Sequence, residues 1–287
     1  MRGPQAALLE GGARLHLHHG PIDLIVGAEG DRAGGFAAAR ACFDGMLEGL
    51  VAELPALRAP LAPGTPPPGG RVARRMHAAT RPHCEAAFVT RMAAVAGAVA
   101  DEVLAAMVAR ASLHRAYVNN GGDIAVHLTP GARFGIAMAG VEGADHGRVR
   151  LTHGDGIGGI ATSGAGGRSL SRGIAESVTV LAANAAAADA AATLIANAVD
   201  LPGHPAIRRE RASARDPDSD LGARAVTVGV GALSPAEARA AVEAGARVAE
   251  TMRRGGLIVG AALFLRGARA VVGSGVVLDE YQTGKVA

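Results

Sequence analysis

From Phe36 to Leu54 the apolar residues fall at Phe36, Ala39, Phe43, Leu47, Leu50 and Leu54, a three- and four-residue spacing that lays one stripe along an amphipathic helix. Pro55 is placed to end that helix. The stretch RAPLAPGTPPPGG over residues 58–70 is short of backbone donors and predicts an extended connector. Ahead of it, apolar runs at 13–17 and 22–26 flank His18-His19-Gly20-Pro21 and read as a hairpin that opens the fold. Residues 89–108 are rich in helix formers, with Thr90 as cap. The middle of the chain changes period: 115–118, 124–128, 133–139, 148–152 and 159–162 run apolar or alternate between Gly, Asn and Asp turns, which predicts strands. Residues 177–181 add a β-branched strand leading into a helix at 185–198, with Asn184 as its cap. Beyond a polar connection at 200–221 come a strand at 225–230, a helix from a Ser234-Pro235-Ala236-Glu237 capping box to about Arg253, and a last strand at 257–265. Strands that follow one another more often than they alternate with helices predict one α+β domain over 1–287, a mostly antiparallel sheet flanked by helices.

Composition narrows the possible functions. The 287 residues are 49% hydrophobic and 19% charged, enough to bury a large core. Trp is absent, with two Tyr and five Phe, so the stacking surfaces of single-strand nucleic-acid binders are missing, and a net charge of +3 is too even for a polyanion binder. The longest apolar-looking stretch, 178–199, is mostly alanine interrupted by Asn184, Asp189, Thr193 and Asn197, which predicts a soluble helix in place of a membrane span. Cys42 and Cys84 are far apart with no CxxC, and residues 1–20 lack a secretory pattern; both point to reduced thiols in the cytoplasm.

Three segments carry candidate chemistry. In AAAADAAATLIANAV (185–199), Asp189 and Thr193 are four apart, one turn along the same helix face, and offer oxygen ligands suited to a hard cation; a carboxylate there also serves as plain helix N-terminal stabilisation. In YVNNGGDI (117–124), Gly121-Gly122 exposes bare backbone beside Asn119, Asn120 and Asp123, although Asn-Gly is equally the signature of a simple hairpin turn. In IATSGAGG (160–167), a strand runs into a small loop whose amides and hydroxyls suit a phosphate, without the Lys or the helix of a P-loop. The acidic DPDSD at 216–220 lacks the glycine and glutamate spacing of a calcium loop and reads as an exposed turn.

Taken in order, Ala93-x-x-x-Gly97-x-x-x-Asp101, then N-x-G-G-D-I, A-T-S-G and A-D-A-x-x-T, the chain resembles the ApbE flavin transferase superfamily. RLHLHHGPIDLIV, YVNNGGDIAVHL, RSLSRGIAESVTVL and AAAADAAATLIANAV are similar over nearly the full length to its shorter UPF branch of thiamine-biosynthesis-like proteins. The resemblance implies an α+β fold with internal pseudo-symmetry. In true members it implies a magnesium-dependent transfer of FMN from FAD to a protein threonine. By position it implies Asp189, Thr193 and a carbonyl near Ala93 as Mg²⁺ ligands, and Asn120, Gly121, Gly122, Asp123, Thr162, Ser163 and Gly164 as the lining of a site for FAD or FMN. Two departures argue against transfer. Ala96 stands where the transferases carry a Lys, and Arg168 to Arg172 (RSLSR) stands where they carry H-I-x-D-P, so the catalytic His and Asp have no counterpart. The expected function is therefore binding of a flavin nucleotide or related phosphorylated small molecule. The open alternatives are a catabolic enzyme acting on an N-heterocycle through Arg74, Arg75, His77, Arg81, His83, Arg168, Arg172 and Glu176, and a non-catalytic partner of a flavoprotein. Alanine-rich helices also suit a homo-oligomer.

Overall fold

The computed structural model describes residues 3–139, 145–167 and 169–277. Its spine is a nine-stranded sheet in which every neighbouring pair is antiparallel. In spatial order the strands are β1 (Gln5–Leu9), β2 (Arg14–His19), β3 (Ile22–Gly30), β4 (Leu113–Asn120), β5 (Asp123–Leu128), β8 (Gly159–Ser163), β9 (Ser177–Ala182), β12 (Gly260–Leu265) and β13 (Ala268–Gly273). Two excursions leave this sheet. β7 (Asp145–Thr152) pairs with β6 (Arg133–Ala139) on one side and β14 (Val276–Val277) on the other, and β10 (Ile207–Arg211) pairs with β11 (Ala225–Val230).

The sheet divides into two similarly built halves. In each, a hairpin leads through helices to a second hairpin beside it: β2–β3 to β4–β5, and β8–β9 to β12–β13. The halves meet at β5 and β8, whose ladder holds only Ile124 opposite Ile160 and Ala125 opposite Gly159, extended by Val126 N–H donating to the Gly158 carbonyl. The helices of the first half are α1 (Arg32–Phe43), α2 (Met46–Ala52), α3 (Leu54–Arg58), α4 (Arg71–Thr80) and α5 (Val95–Arg110); those of the second are α6 (Ala185–Ala198), α7 (Ala212–Arg215) and α8 (Pro235–Arg254).

Strand periodicity explains the layers. Along β9, Val178, Val180 and Ala182 face the core under α6 and α8, while Leu181 faces the smaller core under β6 and β7. Such burial on both faces needs the continuous apolar run that the sequence has there. Among the described residues one helical stretch, Arg91–Arg110, is long and apolar enough to cross a membrane. In this fold it packs against α1, α4, α6, β4 and β5.

Several expected elements differ in detail. The stripe from Phe36 to Leu54 is shared by three helices, because Asp44 leaves the helical region, Gly45 turns the chain at φ 71° before α2 begins, and Glu53 separates α2 from α3, where Leu54 lies. Pro55 starts α3 instead of ending a helix, since a first-turn residue needs no intrahelical donor. β1 lies ahead of the expected opening hairpin, and the polar connection at 200–221 contains β10 and α7. The connector expected at 58–70 begins one residue later, because Arg58 still belongs to α3; residues 59–70 hold no helix and turn at 63–64, and buried Arg91 pins them: Nη1 donates to the Ala56 carbonyl (2.8 Å), Nη2 to the Pro66 carbonyl (3.0 Å) and Nε to His77 Nδ1 (3.2 Å).

Candidate ligand cleft at the junction of the two halves

The site begins where α5 and α6 cross at their N-termini. A helix start leaves backbone N–H groups without intrahelical acceptors, and here each helix supplies the other's. Asp101 on α5 accepts from Ala185 N (3.0 Å) and Ala186 N (2.9 Å) at the start of α6, whose Asn184 side chain accepts from Ala187 N (2.8 Å). In return Asp189 on α6 accepts from Gly97 N (3.0 Å) at the start of α5, with Ala96 N–H also donating. Gly97 is required by this crossing, because a β-carbon there would overlap the Ala185 carbonyl and lie 2.7 Å from Ala186 N. The two carboxylates share one perturbation and its main cause. Burial raises the Asp101 pKa against its two helix donors, and burial raises that of Asp189 well above the carboxylate range, with the nearby charge of Asp123 adding to it.

Asp123 arrives on the β4–β5 hairpin. Asn120-Gly121-Gly122-Asp123 is a two-residue turn with φ of 64° and 112° at the glycines, values that favour glycine, and Asn119 Oδ1 accepts from Gly122 N (2.8 Å). Asn120 Nδ2 donates to the Ala96 carbonyl (3.1 Å), tying the turn to the start of α5, and Thr162 N donates to Asp123 Oδ1 (3.3 Å), tying it to the end of β8. Thr162 Oγ1 lies 2.9 Å from Thr179 Oγ1.

These pieces enclose a cleft with two lobes. One, of about 590 Å³, has Ile22, Leu47, Leu50 and Val99 among its walls and Asn120, Gly121, Asp123, Thr162, Ser163 and Gly164 at its polar edge. The other, of about 520 Å³, holds Ala93, Asp189 and Thr193 together. Met92, Val95, Ala96 and Asp123 line both lobes. Gly122 faces a third cavity of about 440 Å³ on the far side of the turn, which Gly121, Thr162, Ser163 and Gly164 also border. All ten residues proposed from the sequence thus lie around one region, with Gly122 turned away from the two lobes.

The second lobe is acidic. Asp123, Asp189, Asp216, Asp218 and Asp220 line it against Arg58 and Arg172, an excess of negative charge that favours cations. The 216–220 turn, expected to be merely exposed, does expose Asp218, yet Thr90 Oγ1 donates to Asp220 Oδ2 and draws the turn to the cleft. No local pattern announces a contact 130 residues away along the chain. Among the described residues no group of three His, Cys, Asp or Glu side chains is placed to hold a metal. The donors beside Asp189 are instead a hydroxyl, a main-chain segment and a second carboxylate. This all-oxygen set suits a hard divalent cation, which would also relieve the repulsion between Asp123 and Asp189.

The Arg and His cluster goes elsewhere. Buried Glu102 binds Arg71 Nε and Arg75 Nε, each at 2.7 Å, while His77 and His83 are buried away from the cleft. Of the other candidates, Arg172 lines the acidic lobe, Glu176 lines the third cavity, and Arg168 lies outside the described residues.

An antiparallel α+β fold with a ligand-sized cleft between crossed helix N-termini and a glycine turn is the class of protein defined here. The chain belongs to the family described as AbpE bacteria, whose model matches residues 6–271. Curated relatives include a UPF0280 protein of Methanosphaerula palustris, 40% identical over 156 residues (53% of this chain, 63% of the relative), and one of Methanopyrus kandleri, 43% identical over 110 residues (37% and 42%). The chain therefore matches less than two thirds of the length of these relatives. Among solved structures, the apo flavinyl transferase ApbE of Pseudomonas stutzeri aligns over 94% of this chain and 93% of its own, with a TM-score of 0.48 at 13% identity. The flavin transferase ApbE from Vibrio cholerae gives 0.35 at 17% identity, over 84% and 71%. Likenesses this weak transfer no site.

Proposed function

We propose that the chain binds a flavin nucleotide, FAD or FMN, or a related phosphorylated small molecule, in the two-lobed cleft, with Mg²⁺ held beside Asp189. The observation that carries this reading is the convergence of Asp189, Thr193, Ala93 and Asp123 on one lobe that opens beside the glycine turn and the 162–164 strand end. Asp189, Thr193 and the main chain at Ala93 would hold the cation, with Asp123 next to it. The cation would neutralise phosphate charge in a lobe that otherwise repels it. The first lobe's apolar wall would take an uncharged part of the ligand, and a dinucleotide, two ring systems joined through a pyrophosphate, matches a cleft of two lobes.

Catalysis of flavin transfer is not part of the proposal. Ala96, in the wall of both lobes, offers a methyl group where the transferases have an ammonium, and the described residues 164–172 that border the cleft supply no imidazole. The rival reading as an N-heterocycle enzyme loses its main support, because His77 and His83 do not reach the cleft. Cys42 and Cys84 are both free, consistent with a cytoplasmic setting for this binding.

The test is a thermal-shift titration with FAD, FMN, ATP and AMP, each with and without Mg²⁺. Ligand at one hundred times its Kd stabilises the native state by about 2.7 kcal/mol. A magnesium-dependent rise that disappears in Asp189→Ala is expected. No shift with any of the four up to millimolar concentration refutes the reading.

A further inference from the structure

Phe88 is the single aromatic side chain among the described walls of the two lobes, and it stands in the acidic one. It is half-buried, yet it belongs to none of the three apolar cores, so packing does not account for it. Its position is tightly fixed. Val89 and Thr90 beside it are buried, the Val89 carbonyl accepts from Leu61 N (2.9 Å), and Thr90 bridges to Pro60 and bonds Asp220. The Arg224 guanidinium carbon lies 3.3 Å from the ring centroid, and Phe88 is in the cavity wall while Arg224 is not. A rigid ring backed by a guanidinium and bordering an open lobe is a stacking surface with its ordering cost already met. Around it, Asp216, Asp218, Ser219 and Asp220 place hydrogen-bond acceptors in the same wall.

We propose that Phe88 is the platform for the planar heteroaromatic ring of the ligand, and that the 216–220 turn reads N–H donors on that ring's edge. This rests on the nucleotide reading above and adds to it an orientation: a ring at the Phe88 end of the acidic lobe, with phosphates toward Asp189. The acceptors select an adenine amino group or a flavin imide N–H, and they disfavour rings that present only acceptors.

The experiment measures binding of FAD and of magnesium pyrophosphate, which has no ring, to the wild-type chain, Phe88→Leu and Phe88→Tyr, together with the melting midpoint of each ligand-free protein. The expected result is FAD affinity reduced on the order of tenfold in Phe88→Leu, retained within about twofold in Phe88→Tyr, and pyrophosphate affinity equal in all three. FAD affinity unchanged in Phe88→Leu, with the wild type binding FAD, overturns the platform and leaves the nucleotide reading standing. Equal losses for FAD and pyrophosphate also overturn it, since they mark a general distortion. A wild-type chain that binds neither probe overturns both readings.

Discussion

Asp101→Ala tests whether the crossing of α5 and α6 is held by reciprocal capping. The substitution removes the acceptor from Ala185 N–H and Ala186 N–H, groups that sit at fully or almost fully buried residues where water cannot replace the carboxylate. Leaving a buried donor unmet costs about 1–3 kcal/mol, and losing a helix cap about 0.5–2 kcal/mol. Against these stands a gain. Burial works against the ionised carboxyl, as its raised pKa records, and that cost vanishes with the side chain. Asn184 continues to serve Ala187 N–H, so α6 keeps one of its caps. The balance is a loss of about 2–3 kcal/mol. With a urea m-value of about 3 kcal/mol/M this lowers the midpoint by roughly 0.8 M. The assay is equilibrium urea unfolding at pH 7, followed by circular dichroism. An Asp101→Ala midpoint within about 0.2 M of wild type would show that the two N–H groups find other partners, and the capping argument would be wrong.

Two further outcomes follow from the same geometry. Gly97→Ala drives a methyl group into the Ala185 backbone, which cannot rotate away, and should cost about 3 kcal/mol in the same unfolding assay while weakening any Asp189-dependent ligand shift. For His77, burial first and then the charges of Arg91 and Arg81 depress the pKa below the ordinary 6.5, so its contribution to stability is complete above pH 6.5 and is lost as pH falls through the lower folded value. Protonation sets a donor against Arg91 Nε, so unfolding midpoints measured from pH 7.5 down to 5 should fall more steeply in wild type than in His77→Asn, whose amide oxygen replaces the acceptor; parallel curves would exclude the link.

The sequence was most legible where one local rule acted alone. α6 and β11 have the boundaries that Asn184 and the β-branched run imply, and the Ser234 capping box with Pro235 opens α8 as expected. Pro55 misled because a proline is found both in the first turn of a helix and just past the end of one, and only the break at Glu53 shows that it belongs to the start of α3. α4 carries a strong amphipathic pattern hidden by its arginines, two of which neutralise buried Glu102. At the site, the spacing of Asp189 and Thr193 placed both on one helix face, but that Asp189 also caps α5 depends on a partner 92 residues away. Phe88 and the 216–220 turn were missed for the same reason: their contacts are made by the fold alone.

The short ladder between β5 and β8 gives the molecule a mechanical character. Every other junction in the large sheet is stitched over five or more residue pairs, and this one over two. The sheet is therefore most compliant along the line that runs beneath the cleft. That line runs between the 120–123 turn and the 162–164 strand end, which Thr162 N–H and Asp123 join, and above it the crossed caps of α5 and α6 tie the two halves together.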